Sequence, residues 1–399
     1  MTTNLPENDR PWHILPVIAL AQFMGTSLWF AGNAVMVDLQ QEWSLEEGAL
    51  GMLTSSVQLG FIAGSLLFAV FNVADRLSPR LVFAVCASMG AAANAAVALG
   101  VEGLNALLVL RFVVGLCLAG IYPVGMKIAA SWFAKGLGQA LGLLVGALVL
   151  GTAFPHLLRM GGLGIAWRTA LLAVSGMAVA GGLLLYALVP PGPHLRAKTS
   201  FDPRALGRIF KKPEFRSAAF GYFGHMWELY AFWALLPALL TALAAHHSAA
   251  LNVPLWSFAI IAVGGLGCTV GGIYSKRVGS ARIAALGIGL SGLLCLLSPL
   301  LFFVPLPVAL AALVLWGIAV VMDSPQFSAL NATTAPRELV GTALTIVTSV
   351  GFAITIPSIL ALSWLAQSVG PQYAFVALAA GPILGLLALR RSLVPESSA

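Results

Sequence analysis

The longest polar interruption in this sequence is residues 190–216, which read PPGPHLRAKTSFDPRALGRIFKKPEFR. On both sides of it the chain is strongly apolar, since 59% of its 399 residues are hydrophobic and only 9% are charged. A soluble domain carries about 25% charged residues, and one water-soluble core of this length cannot hide so much apolar surface. The sequence therefore predicts a membrane protein with several spans.

Apolar runs of about 20 residues, the length that crosses a bilayer, occur six times before this interruption and six times after it. The predicted spans are 13–37, 48–71, 80–99, 104–130, 135–158, 167–190, 216–244, 252–274, 280–304, 307–332, 338–365 and 371–391. The sequence thus predicts an all-α membrane protein of twelve transmembrane helices. Its predicted domains are residues 1–190, a cytoplasmic linker at 191–215, and residues 216–399.

Charges alternate from loop to loop. The loop after the first span is acidic, with Asp38, Glu42, Glu46 and Glu47, whereas the basic residues concentrate in the loops on the opposite side and in the linker. Only Arg159 and Arg168 depart from this pattern. Because basic loops stay in the cytoplasm, we expect a protein of the inner membrane with both termini cytoplasmic.

The two halves also repeat each other. When the sequence is shifted by 202 residues, three positions coincide: Gly115 with Gly317, Pro123 with Pro325, and Pro155 with Pro357. Repeats of this kind are typical of transporters built from related halves.

The loop after the second span carries a more specific signal. It reads FNVADRLSPR, at residues 71–80, and resembles the pattern G-x-L-A-D-R-x-G-R-K of the major facilitator superfamily of secondary transporters. Matching positions include Asp75, Arg76 and Arg80, and Arg277 follows the corresponding eighth span. The resemblance implies two pseudo-symmetric six-helix bundles around a central cavity, with these four residues in a cytoplasmic gate. It also implies that spans 3, 6, 9 and 12 face lipid.

Other signatures leave the subfamily open. The fifth span lacks the GP-x-x-GG motif of drug–proton antiporters, and the substrate arginines of nitrate porters are absent. An exporter of drugs or metabolites and a lipid flippase of the same fold remain alternatives.

Three charged residues are predicted deep in spans: Arg111, Glu228 and Asp323. Each costs about 2.5–3.5 kcal/mol at the bilayer centre on insertion scales, so such residues tend to face a polar cavity or each other. Glu228 lies in GHMWELYAFW, residues 224–233, three positions after His225 and on the same helical face. We interpret Glu228, Asp323 and His225 as proton-coupling candidates, with Glu228 as the preferred proton site and Asp323 second; a buried ion pair that orients helices is the structural alternative.

Further polar and aromatic residues are candidates for lining the substrate cavity. Together with Arg111 they are Gln22, Thr26, Trp29, Asn33, Tyr122, His156, Trp227 and Gln326. Arg111 and His156 belong to the first half, and the carboxylates to the second, which favours an amphoteric or weakly polar organic substrate.

The predicted function is an alternating-access transporter that moves a small organic solute, coupled to protons, across the membrane. We expect a monomer in the lipid bilayer, without cofactor, metal or nucleic-acid partner. The sequence has no Ser-His-Asp order and no metal-ligand spacing, so it predicts no enzyme, and an intramembrane enzyme is a distant alternative.

Overall fold

The computed structural model describes residues 11–46, 48–133, 137–160, 165–194, 206–336 and 339–393. All regular structure in these ranges is helical. Eleven helical segments of the described residues, some of them made of two consecutive helices, are long and apolar enough to cross a membrane, and Ile14–Thr26 is a shorter apolar helix. The predicted all-α membrane fold is confirmed. It follows from the apolar runs, because a helix satisfies its backbone polar groups internally where lipid offers no hydrogen bonds.

The chain divides into two compact units, Met1–Ser200 and Phe201–Ala399. The described helices of the first unit are α1 Ile14–Thr26, α2 Ala31–Ala34, α3 Met36–Trp43, α4 Ala49–Val70, α5 Val73–Arg76, α6 Pro79–Ala98, α7 Leu104–Leu118, α8 Tyr122–Trp132, α9 Leu137–Leu158 and α10 Trp167–Leu188. Within this unit α1 packs against α8, α9 and α10, while α7 packs against α4 and α6.

The second unit has a corresponding set. Its described helices are α11 Leu206–Ile209, α12 Pro213–His246, α13 Val253–Ala262, α14 Gly264–Val278, α15 Ser280–Leu297, α16 Leu306–Met322, α17 Ser324–Thr334, α18 Val340–Ser368, α19 Pro371–Ala374 and α20 Ala380–Leu393. Short 3-10 turns extend α15 and join α19 to α20. Within this unit α12 packs against α17, α18 and α20, and α15 packs against α16, α17 and α20.

The predicted linker is only partly described, because residues 195–205 lie outside the described ranges. Its described end contains α11, which contacts α18. The predicted boundaries at 190 and 216 stay a prediction.

The first predicted span, 13–37, is not one helix. It ends as α1 at Thr26 and resumes as α2 and α3. At the break the hydroxyl of Thr26 donates to the carbonyl of Gln22 over 2.7 Å, and the hydroxyl of Ser27 donates to that of Met24 over 2.6 Å. Hydroxyls that bond back to the preceding turn bend helices, which explains an interruption without proline.

Four other predicted spans are interrupted, and in the twelfth, 371–391, the interruption is the 3-10 turn between α19 and α20. The fourth changes from α7 to α8 just before Pro123, and the tenth changes from α16 to α17 at Asp323, two residues before Pro325. Proline removes a backbone donor and clashes with the preceding turn, so these two breaks follow from the sequence. The eighth span breaks at Val263, before the pair Gly264 and Gly265, where the sequence analysis predicted a continuous helix.

A close helix crossing recurs in both units. A methyl group at Gly115 would collide with the carbonyl of Val57, and one at Gly317 would collide with the carbonyl of Ile260. Small residues at such positions let helices in membranes approach closely. The coincidence of Gly115 with Gly317 in the sequence therefore corresponds to the same contact in each unit.

Candidate functional site

Glu228 lies on α12, and only 1% of its surface is exposed. Its Oε1 accepts hydrogen bonds from Trp316 Nε1 at 3.0 Å, from Cys295 Sγ at 3.3 Å and from Ser291 Oγ. Ser291 and Cys295 are one turn apart on α15, so their side chains reach the carboxyl group from the same face. The site therefore holds Glu228 with neutral donors from two neighbouring spans.

His225 and Asp323 form the second buried contact of this unit. Nδ1 of His225 lies 2.9 Å from Oδ1 of Asp323, and both side chains are almost completely buried. The imidazole ring packs near the rings of Tyr222 and Phe327. Its Nε2 has no hydrogen-bond partner among the described residues. The sequence spacing allowed a contact between His225 and Glu228, but the structure brings His225 to Asp323.

The break between α16 and α17 positions Asp323. Pro325 cannot donate to the carbonyl of Val321, and the thiol of Cys268 on α14 lies 3.3 Å from that oxygen. On the neighbouring α15, Gly287 leaves the space that Asp323 occupies, since a methyl there would lie 3.1 Å from the Asp323 Cβ. The carboxyl group therefore lies where the helix is interrupted and its neighbours are small.

The remaining candidates of the second unit separate. Gln326 is buried on α17, one turn after Asp323. Trp227 faces the other way: its Nε1 donates to the carbonyl of Ala377 over 3.3 Å, and its side chain packs on Gly381 of α20. The structure thus groups His225, Glu228 and Asp323 with α15, α16 and α17, and it places Trp227 against α20.

Arg111 is the buried charge of the first unit, with 1% of its surface exposed. Its Nη2 donates to the carbonyls of Leu28 at 2.8 Å and Trp29 at 2.7 Å, and its Nη1 donates to Asn94 Oδ1 at 3.0 Å. Both carbonyls belong to the break between α1 and α2, where the helix has lost regular internal bonds. The guanidinium group therefore caps the interrupted first span.

Asn94 extends this network. Its Nδ2 donates to the carbonyl of Leu171 and to Ser175 Oγ, each at 3.0 Å. Asn94 lies on α6 and Ser175 on α10, the third and sixth spans. These residues hold Arg111 from two of the spans that the family resemblance predicts to face lipid.

The cavity-lining candidates of the first span are buried. Trp29 Nε1 donates to Gln58 Oε1 over 3.2 Å, and Asn33 Nδ2 donates to Thr54 Oγ1 over 2.7 Å. Gln22 is fully buried, and neither atom of its amide has a partner among the described residues.

Two further candidates of this unit lie on other helices. His156 is buried on α9, and its Nε2 lacks a partner within the described ranges. Tyr122 is the half-buried first residue of α8. The structure therefore brings Trp29, Asn33 and Arg111 to the break in the first span, whereas the amide of Gln22 faces Gly125 of α8 and His156 and Tyr122 lie on neighbouring spans.

The predicted gate is described in part. Arg76 and Arg277 are exposed, and the side chain of Asp75 lies outside the described part of the structure. Arg80 Nη1 donates to the carbonyls of Tyr186 at 3.2 Å and Val189 at 3.0 Å, at the end of α10. The gating role of these residues stays a prediction.

Acidic and basic residues pair at the opposite end of the first unit. Arg159 Nη2 donates to both carboxylate oxygens of Asp38, at 2.6 and 2.7 Å. Glu42 accepts from Trp167 Nε1 at 2.8 Å and from Arg168 at 2.6 Å. The Trp167 hydrogen bond, followed by that of Arg168, holds the pKa of Glu42 below its ordinary 4.5. The two arginines that departed from the charge pattern are therefore those that the acidic segment neutralises.

A family model described as Major Facilitator Superfamily matches residues 18–358. The chain belongs to the major facilitator superfamily. This confirms the resemblance of the loop at residues 71–80 and of the twelve-span pattern. The fold and the family are those of transporters of small solutes.

Two curated relatives in this superfamily are named for their solutes. SauU of Cupriavidus necator, named a probable sulfoacetate transporter, is 25% identical over 69% of this chain and 70% of its own. The niacin transporter NiaP of Acinetobacter baylyi is 32% identical over 35% of this chain and 36% of its own.

Solved structures of the superfamily share the fold. A bacterial homologue of the human lysosomal transporter Spinster, in an inward-facing and occupied conformation, has a TM-score of 0.71 at 16% identity, over 94% of this chain and 95% of that one. The nucleoside transporter NupG has a TM-score of 0.71 at 13% identity, over 96% of this chain and 100% of that one.

Sequence reasoning missed the residues that hold the buried charges. They are Asn94 and Ser175 around Arg111, and Ser291 and Cys295 around Glu228. The available signal was that hydrogen-bonding side chains are few in these apolar spans.

Proposed function

We propose that this protein is a proton-coupled secondary transporter of a small organic solute, in which His225, Asp323 and Glu228 carry the proton. One observation carries the proposal: a buried imidazole lies 2.9 Å from a buried carboxylate at an interrupted span. Ionisable residues inside a membrane are costly, and they commonly mark ion pathways and proton relays. Interrupted helices are also where many transporters bind ions and substrates.

The chemistry of the pair supports this role. Histidine is the side chain whose charge changes most readily near physiological pH. A proton taken up by the His225–Asp323 pair changes its net charge by one, and so changes the attraction between α12 and the break that follows α16. Occupancy by a proton can therefore be linked to the arrangement of these helices, which is the requirement for coupling.

Glu228 has a different environment. Its Oε1 has three donors, and none of them is charged. A carboxylate in such a site is stabilised in place without a cation. We therefore assign first rank as proton site to the His225–Asp323 pair and second rank to Glu228, the reverse of the order that the sequence alone favours.

The substrate class rests on the relatives and on unpartnered polar atoms. Sulfoacetate and niacin, for which the two relatives are named, are small carboxylic acids. In the first unit the side-chain amide of Gln22, Nε2 of Gln58 and Nε2 of His156 have no partner among the described residues. Buried polar groups are normally hydrogen-bonded, so we propose that a small organic acid satisfies some of these atoms during transport.

We propose that the protein is a monomer in the inner membrane. In the proposed orientation the central linker and both termini lie in the cytoplasm. This orientation is supported by the basic residues of the linker and of the end of α14. The ion pairs of Arg159 and Arg168 with Asp38 and Glu42 remove the two exceptions to the charge bias.

Transport by reconstituted protein tests the proposal. Purified protein in liposomes should accumulate labelled sulfoacetate or niacin above the external concentration when a proton gradient is imposed, and a protonophore should abolish the accumulation. A thermal-stability screen with a wider set of small organic acids chooses the probe, because binding raises apparent stability by mass action. Accumulation that persists with the protonophore, or that follows a sodium gradient instead, would contradict proton coupling.

A further inference from the structure

The surface of the second unit has a cavity of about 310 Å³ between the start of α12 and the end of α20. Its lining combines two arginines with apolar side chains and includes Arg216, Phe220, Leu387 and Arg390. Nothing in the transport proposal uses this cavity.

Charge and apolar surface are ordered along both helices. Phe220 follows Arg216 by one turn, and Leu387 precedes Arg390 by about one turn, so the two arginines lie at the same end of the cavity. The turn between them and the deeper side chains is about 6 Å long. The cavity thus has a basic mouth and an apolar interior.

The apolar part belongs to a surface that contacts lipid. Phe220 and Leu387 are 49% and 58% exposed, and Ile383 and Leu384 continue the exposed apolar face along α20. In a protein that spans a membrane, an exposed apolar face of this kind is covered by acyl chains. The cavity is therefore reached from the bilayer as well as from the aqueous side.

The arginines have donors to spare. Arg216 gives Nη1 to the carbonyl of Phe210 at 3.2 Å. Within the described ranges, neither Arg216 nor Arg390 forms an ion pair with a carboxylate. Exposed Lys211 and Lys212 add positive charge beside the mouth, and Glu214, which is also exposed, does not line the cavity.

We propose that this cavity is a binding site for one anionic phospholipid, whose phosphate lies between Arg216 and Arg390 and whose acyl chain lies along Phe220 and Leu387. Arginine matches phosphate oxygens with its planar donor fork, and basic pockets between transmembrane helices bind anionic lipid headgroups. The apolar side chains below the arginines favour a lipid over a soluble phosphate, because a soluble phosphate has no acyl chain to contact Leu387. The site is independent of the transport proposal.

Native mass spectrometry of the full-length protein, titrated with phosphatidylglycerol and with phosphatidylcholine, tests the site. Wild-type protein should retain phosphatidylglycerol in preference to phosphatidylcholine. Each basic residue near an anionic headgroup changes binding by about fivefold, so Arg216→Gln with Arg390→Gln should weaken binding by on the order of 25-fold. Arg282→Gln, an exposed arginine of the same unit outside the cavity, is the matched control and should bind as the wild type does.

Three outcomes would overturn the proposal. One is equal retention of phosphatidylglycerol by the double variant and by Arg282→Gln. Another is retention of glycerol 3-phosphate or inorganic phosphate as strong as that of phosphatidylglycerol, which would assign the mouth to a soluble anion. The third concerns Leu387→Asn, a substitution that removes the proposed acyl contact. An unchanged affinity of this variant for phosphatidylglycerol would overturn the proposal. If the double variant does not fold, Arg216→Gln and Arg390→Gln measured singly decide the question, and wild-type affinity in both would also overturn it.

Discussion

Arg111 in the first unit and Asp323 in the second each lie at a break in a span, but their partners differ. Arg111 donates to two carbonyls and an amide oxygen, which are neutral and cannot lose or gain a proton. Asp323 faces the imidazole of His225, which can. A permanent charge held by neutral acceptors fixes a structure, whereas two titratable groups in contact offer two states. Under the proposed function, the first unit thus has a structural charge and the second a switchable one.

Replacement of Arg111 should have the largest effect on stability. Arg111→Met removes the donors of three buried acceptors, each of which costs about 1–3 kcal/mol when left unsatisfied, so we expect a loss on the order of 3–9 kcal/mol or failure to accumulate folded protein. The measurement is thermal unfolding of the purified protein.

A matched change in the second unit sharpens this result. Glu228→Gln keeps the oxygen that accepts from Ser291, Cys295 and Trp316, so its stability should stay within about 1 kcal/mol of wild type. Equal unfolding temperatures for Arg111→Met and wild type would contradict the structural role of Arg111.

A smaller effect is expected at the ion pairs of the first unit. The pKa of Glu42 is held below 4.5 by Trp167 and Arg168. A carboxylate with a lowered folded pKa contributes stability that is complete above the unfolded pKa and is lost as the pH falls through the folded value. This contribution is therefore constant at neutral pH and disappears only below about 4.5.

Unfolding temperatures measured from pH 6 down to pH 3 test this window. Glu42→Gln should flatten the acid side of the profile, and Trp167→Phe, which removes the indole donor, should flatten it in part. An acid profile of Glu42→Gln that coincides with that of the wild type would show that the contacts of Glu42 with Trp167 and Arg168 contribute nothing to stability. Glu42 would then not count among the structural charges of the first unit.

The fold was predictable from the sequence because the features that indicate it can be read from short stretches of the chain. Apolar runs, alternating charged loops and the repeated positions of Gly115 and Gly317 each constrain the chain without knowledge of distant contacts. The break at Asp323 was equally accessible, because Pro325 removes a backbone donor wherever it stands in a helix. The break after Thr26 was not, since hydroxyls that bend a helix also occur in straight ones.

The candidate site was predictable only in its charges. The sequence identified Arg111, Glu228 and Asp323, because charges in apolar spans are conspicuous. Their partners depend on which helix faces lie together. Carbonyl acceptors such as that of Leu28 have no sequence signal, and His225 is closer in sequence to Glu228 than to the residue that it contacts.

Transport by Asp323→Asn tests most directly the proposal that the second unit has a switchable charge. The variant is reconstituted beside wild type and beside Glu102→Gln, a control that neutralises an exposed carboxylate, with the organic acid chosen by the stability screen as probe. Two modes are compared: accumulation driven by a proton gradient, and exchange of labelled for unlabelled probe without a gradient. We expect Asp323→Asn to lose accumulation but keep exchange, and Glu102→Gln to keep both. Accumulation by Asp323→Asn at the wild-type level and with the wild-type pH profile would contradict the proposal.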